Sequence, residues 1–486
     1  MKDLFSSVLL VFILLLSGLN AEDVSHVSVT RHSMTLEGKV LHYRAKTGTL
    51  MMHNDEGKPI AELFYVAYHK EQNIKDPARP ITFCFGGGTG NATAWLHMGG
   101  IGPKKVNLPQ DGRTPVPPYT YSDNPYSLLD ITDLVFVDAL STGYSNVAQG
   151  IEAKSYYNSK EDTKLLAAFI RVYLTQNGLW DVPKYLLGQG FGGFRICDLA
   201  YYLHDENFIF LNGLILLSSI INYQAIYDPE EGNDLPYALA LPSLAAAWSY
   251  YSGKSNPLEG LKQVESFAEN SYSQSLFHGN SLEKDKAKKT AQEIASLTGI
   301  NEEYILKGNL KIGTLAFSNE LLSTKQKSLS LYDSRNESMV SNEMTDPTCP
   351  SEPYEHLMGA FYAAIHTYLS QDLQYTSDKQ YVLHAKVCPW SFGHNKNQFP
   401  NIYDKLKYEL NKNTQLKLFS GAGFYDLVSP YYAVHYCLSH LGLEPVVQKR
   451  VTEKAYPAGH ILTLDPSTQK QLKSDLIQFY NSRSNE

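Results

Sequence analysis

Tyr185-Leu186-Leu187-Gly188-Gln189-Gly190-Phe191-Gly192-Gly193 is the stretch on which the fold reading turns. An apolar run enters a glycine-rich turn, and an amphipathic segment over 194–203 leaves it. That succession of strand, tight turn and helix is the setting in which a G-x-S-x-G sequence holds a reactive serine at a strained bend. Here the apex residue is Gly190. Glycine tolerates the unusual φ/ψ of such a bend because it has no Cβ to clash. It also has no oxygen with which to attack anything. The turn reads as a nucleophile elbow without its nucleophile.

Outward from this turn, further strand-like apolar runs lie at Ile81–Phe85, 134–138, 214–219 and 416–420, beside the run at 185–188. A helical pattern over 160–176 puts Leu165, Leu166, Phe169, Ile170 and Tyr173 on one face. Alternating stretches near 25–45 and 61–69 suggest an antiparallel entry to the sheet. Strands alternating with helices predict an α/β fold with a mostly parallel central sheet covered on both sides. Between about 230 and 375 the apolar runs become helix-periodic, as at 243–251 and 357–369, while 284–290 reads as a solvated helix face. The sheet resumes near 415 and a helix near 469–480 closes the chain. The expected division is a signal peptide over 1–21, a first core part over 22–229, a helical cap insertion over 230–374 and a second core part over 375–486.

Composition excludes more than it specifies. The chain has 486 residues, 43% of them apolar, enough for a large core. A net charge of −8 with no basic block argues against nucleic-acid binding. Lys2, the apolar run over 8–16 and the small residues around Asn20-Ala21 read as a cleavable secretory signal, so the mature chain is expected to be exported, periplasmic or secreted. No other run reaches the roughly 20 apolar residues of a membrane helix, so no membrane attachment is expected after cleavage. Five cysteines are too few for a disulfide framework. Cys84 and Cys197 read as buried, and Cys349 with Cys388 as one potential bridge. No CxxC or Cys/His pattern points to a metal, and no cofactor is implied.

The motifs together resemble the serine carboxypeptidases, most nearly their bacterial members, over essentially the whole mature chain. The likeness runs through Arg79-Pro80-Ile81-Thr82-Phe83 into the glycine loop over 86–90, then Trp95-Leu96-His97-Met98-Gly99. It continues in Asp123-Asn124-Pro125-Tyr126-Ser127-Leu128-Leu129-Asp130, Asp133-Leu134-Val135-Phe136-Val137-Asp138, Leu235-Pro236-Tyr237, Ala247-Trp248 and Leu331-Tyr332-Asp333-Ser334-Arg335. Gly423-Phe424-Tyr425-Asp426-Leu427-Val428-Ser429-Pro430 and Ala458-Gly459-His460 close it. The resemblance implies an α/β-hydrolase fold and removal of C-terminal residues from peptides through an acyl-enzyme. It places the triad acid at Asp426 and the base at His460, the oxyanion donors at the backbone N–H groups of Gly88 and Phe191, and substrate-carboxylate binding at Gly86, Gly87 and Gln189.

Against that pattern the chain departs at the site itself. Gly190 leaves Asp426 and His460 with no hydroxyl to activate. Gln189 stands where the family carries Glu, and an amide donates the same hydrogen bond at any pH. Gly86 replaces an Asn donor, and Thr89 and Asn91 replace Pro and Ser. Ser141, Ser145, Ser218 and Ser219 are the serines to weigh as a relocated nucleophile, each at a strand end or loop. Three functions stay open. The first is a catalytically impaired carboxypeptidase-like protein whose cleft binds peptide or protein C-termini. The others are an active serine-type hydrolase and a structural protein with a vestigial cleft. The oligomeric state stays open.

Overall fold

Alternating side chains at the N-terminal end build three antiparallel strands: β1 (Ser28–Leu36), β2 (Lys39–His53) and β3 (Pro59–Lys70). In β1 every buried position is separated from the next by exposed or half-exposed ones, as expected of a strand with one face on the core. The protein is described here by a computed structural model over residues 27–72, 78–109, 114–226, 232–339, 355–393 and 398–482. The expected signal segment, 1–21, lies outside the described residues.

The strands that follow are β4 (Ile81–Phe85), β5 (Asp133–Val137), β6 (Lys184–Gln189), β7 (Gly213–Leu217), β8 (Lys417–Gly423) and β9 (Val451–Tyr456). They join the first three in the spatial order β1-β2-β3-β5-β4-β6-β7-β8-β9, with a short tenth strand, Asn146–Val147, on β3. Strand β3 pairs antiparallel with β5, and every later pairing is parallel. The expected mostly parallel sheet is therefore the observed one.

Its middle strands are buried on both faces, so their side chains divide between two apolar clusters with a period of two. Ile81, Phe83, Phe85, Leu186, Leu214 and Leu216 face one cluster, and Cys84, Leu187, Ile215 and Leu217 face the other. Helices α1 (Ser159–Asn177) and α2 (Phe191–Asn207) cover the first cluster. Asn158 caps α1 by accepting from the Glu161 amide at 2.9 Å, and Gly178 ends it in the left-handed region. All five residues expected on the inner face of α1 are buried. The segment over 230–374 serves both clusters: α3 (Leu235–Tyr251) joins the first, and the helix α4 (Glu355–Thr367) joins the second beside Trp95. The closing helix α5 (Pro466–Asn481) also covers the second.

Strand ends differ from expectation for local reasons. Strands β6 and β8 each begin one residue earlier or later than the apolar run, at a lysine whose ammonium is held by backbone carbonyls. Lys184 Nζ donates to Trp180 O at 2.6 Å, and Lys417 Nζ to Ser482 O at 2.7 Å. Strand β7 stops at Leu217 rather than 219, because Ser218 turns into the left-handed region at φ 49°. Cys84 and Cys197 are buried free thiols, as expected, with burial raising both pKa values, and Cys437 is a third. Cys388 is disulfide-bonded, while Cys349 lies outside the described residues.

Candidate functional site

All the candidate residues sit at the C-terminal ends of the parallel strands, where an open α/β sheet leaves a crevice. The glycine loop follows β4, Gly190 follows β6, Asp426 follows β8 and His460 follows β9. Gly190 has φ 55° and ψ −125°, far from any basin that a residue with a Cβ prefers. Its amide donates to Leu217 O at 2.9 Å and its carbonyl accepts from Gly193 N at 3.0 Å, so the turn is tied to β7 and to the first turn of α2. Gly193 is required by close approach: a Cβ there would lie 2.0 Å from Ser219 Oγ.

Asp426 and His460 come together. His460 Nδ1 lies 2.8 Å from Asp426 Oδ2, with the carboxylate fully buried and the imidazole 10% exposed. Asp426 Oδ1 accepts from the amides of Val428 and Ser429, both at 2.9 Å, and Ser429 Oγ donates to Oδ2. A carboxylate supplied with these donors offers only acceptors to the imidazole, so Nδ1 carries the ring proton and Nε2 presents its lone pair. The His460 amide donates to Tyr332 O at 2.6 Å, and the Tyr332 ring packs edge-on against the imidazole with centroids 5.1 Å apart. Nε2 faces the apex of the elbow: a Cβ on Gly190 would lie 2.9 Å from it. The arrangement sets His460 Nε2 against a position that carries no hydroxyl.

A cleft of about 210 Å³ opens at this point. Gly87, Gly88, Gln189, Gly190, Phe191 and His460 line it, whereas Gly86 does not reach it. Gly86 is instead packed behind the lining. Its carbonyl accepts from Arg195 Nη1 at 3.3 Å, and a Cβ there would meet Ala92 O at 2.9 Å. Among the described residues, neither the Gly88 amide nor the Phe191 amide donates to a protein acceptor. Phe191 opens a 17-residue helix, so its N–H points outward at the positive end of the helix dipole. The two amides are therefore placed to receive a developing negative charge. The rest of the wall mixes apolar side chains, Trp95, Ile220, Ile226, Val428 and Ile461, with the neutral polar Asn91, Ser218, Tyr223, Tyr332 and Ser429, and among the described residues no Asp, Glu, Lys or Arg lines it.

The serines considered as substitutes separate clearly. Ser219 Oγ donates to Leu217 O at 3.0 Å, Ser145 Oγ to Asp138 O at 2.7 Å, and Ser141 Oγ bonds Tyr157 Oη at 3.2 Å. None of these three lines the cleft. Ser218 does, and its hydroxyl is buried without a hydrogen-bond partner among the described residues. Sequence reasoning assigned no role to Ser429 or Arg195. The signal for Ser429 was the spacing Asp-x-x-Ser, which lets an Asp side chain accept local amides. Arg195 gave none, since its contacts are a carboxylate on another helix, Asp162 Oδ2 at 2.6 Å, and a carbonyl 109 residues away. Thr89 and Asn91 flank the loop: Thr89 Oγ1 donates to Val387 O at 3.5 Å, and Asn91 Oδ1 lies 2.7 Å from His384 Nδ1.

No protein-family profile matches the chain, and no curated protein sequence does. Among solved structures, a prohormone-processing carboxypeptidase from Saccharomyces cerevisiae superimposes with a TM-score of 0.55 at 16% identity, over 90% of this chain and 91% of its own. A proline iminopeptidase from Mycobacterium smegmatis gives 0.38 at 12% identity, over 89% and 97%. A carboxyl esterase from Bacillus coagulans gives 0.36 at 13%, over 90% and 98%. The first of these and the strand order agree on an α/β-hydrolase fold.

Proposed function

We propose that the chain is an exported serine carboxypeptidase-like protein that binds peptide or protein C-termini in its cleft and lacks the covalent step. The observation that carries this reading is the 2.9 Å between His460 Nε2 and the position of a Cβ on Gly190. Acid, base and oxyanion donors surround an atom that the sequence does not supply. Acyl transfer by this route requires the hydroxyl to attack the carbonyl while His460 takes its proton. Without it the pair has no partner, and loss of a nucleophile in such sites costs on the order of a million-fold in turnover.

Binding does not need that atom. Gln189 is 5% exposed on the cleft wall, and its amide can donate to a carboxylate without charge repulsion. The uncharged lining, with Trp95, Ile220, Ile226 and Ile461 on it, suits a terminal residue with an apolar side chain. Export is supported by the N-terminal segment and by the disulfide at Cys388, since such bonds persist in oxidising compartments. The test is calorimetric titration of a blocked dipeptide and its C-terminal amide, with assay of both for release of the last residue from pH 4 to 8. Tighter binding of the free acid without turnover supports the reading. Turnover that disappears in His460→Ala replaces it with an active hydrolase, and equal or absent binding of the two peptides refutes carboxylate recognition.

A further inference from the structure

Strand β7 runs beside β6 in parallel register, with Leu217 opposite Gln189. The next residues out of the two strands are Ser218 and Gly190. Both leave the sheet at positive φ, 49° and 55°. Glycine adopts this backbone freely; serine adopts it only where its surroundings enforce it. Those surroundings are visible. The Ser218 amide donates to Gly421 O at 2.7 Å, and its carbonyl lies 3.0 Å from Ser429 Oγ, the hydroxyl beside Asp426.

The side chain so held is left unsatisfied. Ser218 is fully buried and lines the cleft, yet its Oγ has no hydrogen-bond partner among the described residues. A buried hydroxyl without a partner is destabilising, and so is the left-handed turn that carries it. Neither cost has a structural return, because the backbone bonds that fix the turn need no side chain. One strand away, the Gln189 side chain also lines the cleft. Ser218 and Gln189 thus put neutral donors on adjacent strands of an uncharged wall.

We propose that Ser218 is a ligand-contacting residue of the cleft, donating with Gln189 to a carboxyl-derived oxygen of a bound peptide. This rests on the peptide-binding reading above and adds the second donor to it. The acceptor is either the terminal carboxylate or the carbonyl of the last peptide bond, and an acid-versus-amide comparison separates them.

The test uses the mature chain, N-acetyl-Phe-Leu and its C-terminal amide, and the variants Ser218→Ala and Ser218→Gly. The expected result is a loss of acid binding of about five- to tenfold in both variants, the size of one hydrogen bond. Their melting temperatures without ligand are expected to hold or rise, since an orphaned hydroxyl has gone and, in the glycine variant, a strained φ as well. Loss confined to the acid assigns the carboxylate; equal loss for acid and amide assigns the carbonyl. Unchanged affinity in Ser218→Ala, with the wild type binding the acid, overturns the assignment and leaves the peptide reading standing. A lower melting temperature in both variants also overturns it, because the hydroxyl would then be serving the fold. A wild-type chain that binds neither probe overturns the peptide reading, and this assignment with it.

Discussion

Placing a serine at position 190 probes the whole site at once. A Cβ at Gly190 would lie 2.9 Å from His460 Nε2, roughly 0.6 Å inside an ordinary heavy-atom contact of about 3.5 Å. The imidazole must therefore retreat, and it is held by Asp426 at 2.8 Å and by Ser429 Oγ at 3.2 Å from Nδ1. The backbone adds its own cost, because φ 55° with ψ −125° penalises a residue with a Cβ by about 1–3 kcal/mol. Gly190→Ala and Gly190→Ser are both expected to lose about that much stability in urea denaturation at pH 7. Only the serine variant is expected to gain chemistry. Its Oγ would point at Nε2, so a fluorophosphonate should label residue 190, and blocked-dipeptide hydrolysis should exceed the wild type by at least about a hundredfold. Adding His460→Ala to the serine variant should abolish both gains. A serine variant destabilised like the alanine one but unlabelled would refute the claim that Nε2 is aligned on the apex. Wild-type stability in both variants would refute the strain and contact argument.

Three further outcomes follow from buried groups away from the apex. Arg195 and Asp162 have side chains 2% and 7% exposed, so Arg195→Met leaves a buried carboxylate uncompensated and should cost about 3–5 kcal/mol by urea denaturation, much of it recovered when Asp162→Leu is added. Gly193→Ala drives a Cβ to 2.0 Å from Ser219 Oγ and should cost about 1–3 kcal/mol, a loss that Ser219→Gly in the same chain should largely relieve. His97, buried against Tyr68 and Phe136, has its pKa lowered by burial to about 3. The stability it contributes is present above its unfolded pKa of 6.5 and is lost as pH falls toward the folded value. Between pH 6.5 and 4.5 the wild type should therefore lose about 2–3 kcal/mol more than His97→Phe in paired urea titrations. Parallel losses in the two chains would contradict the assignment.

The sheet was legible in the sequence because strands buried on both faces are written as unbroken apolar runs, and their two-residue period becomes visible only when neighbours are in place. Ile81–Phe85 shows this: all five residues are buried, and alternate ones serve opposite clusters. The elbow was legible because its glycines and flanks are consecutive. Asp426 and His460 were legible only through the family resemblance, since a single Asp and a single His 34 residues apart carry no signal of their own. Ser429 was legible only as the local spacing Asp-x-x-Ser, whereas Arg195 acts through a contact that composition and spacing do not encode, a carbonyl on the glycine loop.

Ser218 was misread in an instructive way. Its sequence, Leu216-Leu217-Ser218-Ser219, reads as a strand that continues, and the strand expected over 214–219 ends where the backbone turns left-handed. That turn and the one at Gly190 are neighbours with the same sign of φ, yet the chain relieves only one of them. Folding stability alone favours glycine at both, by removing strain at 190 and both strain and an orphaned hydroxyl at 218. At 190 glycine gives this relief and offers no hydroxyl, so stability and the proposed lack of acyl transfer point the same way. At 218 they diverge: the serine retains a cost that the described fold does not return, and it does so on the wall of the same cleft. The two positions therefore separate the functions of the site. On the proposed reading covalent chemistry depends on 190 and binding on 218, so the serine variants at 190 should report on turnover while those at 218 report on affinity.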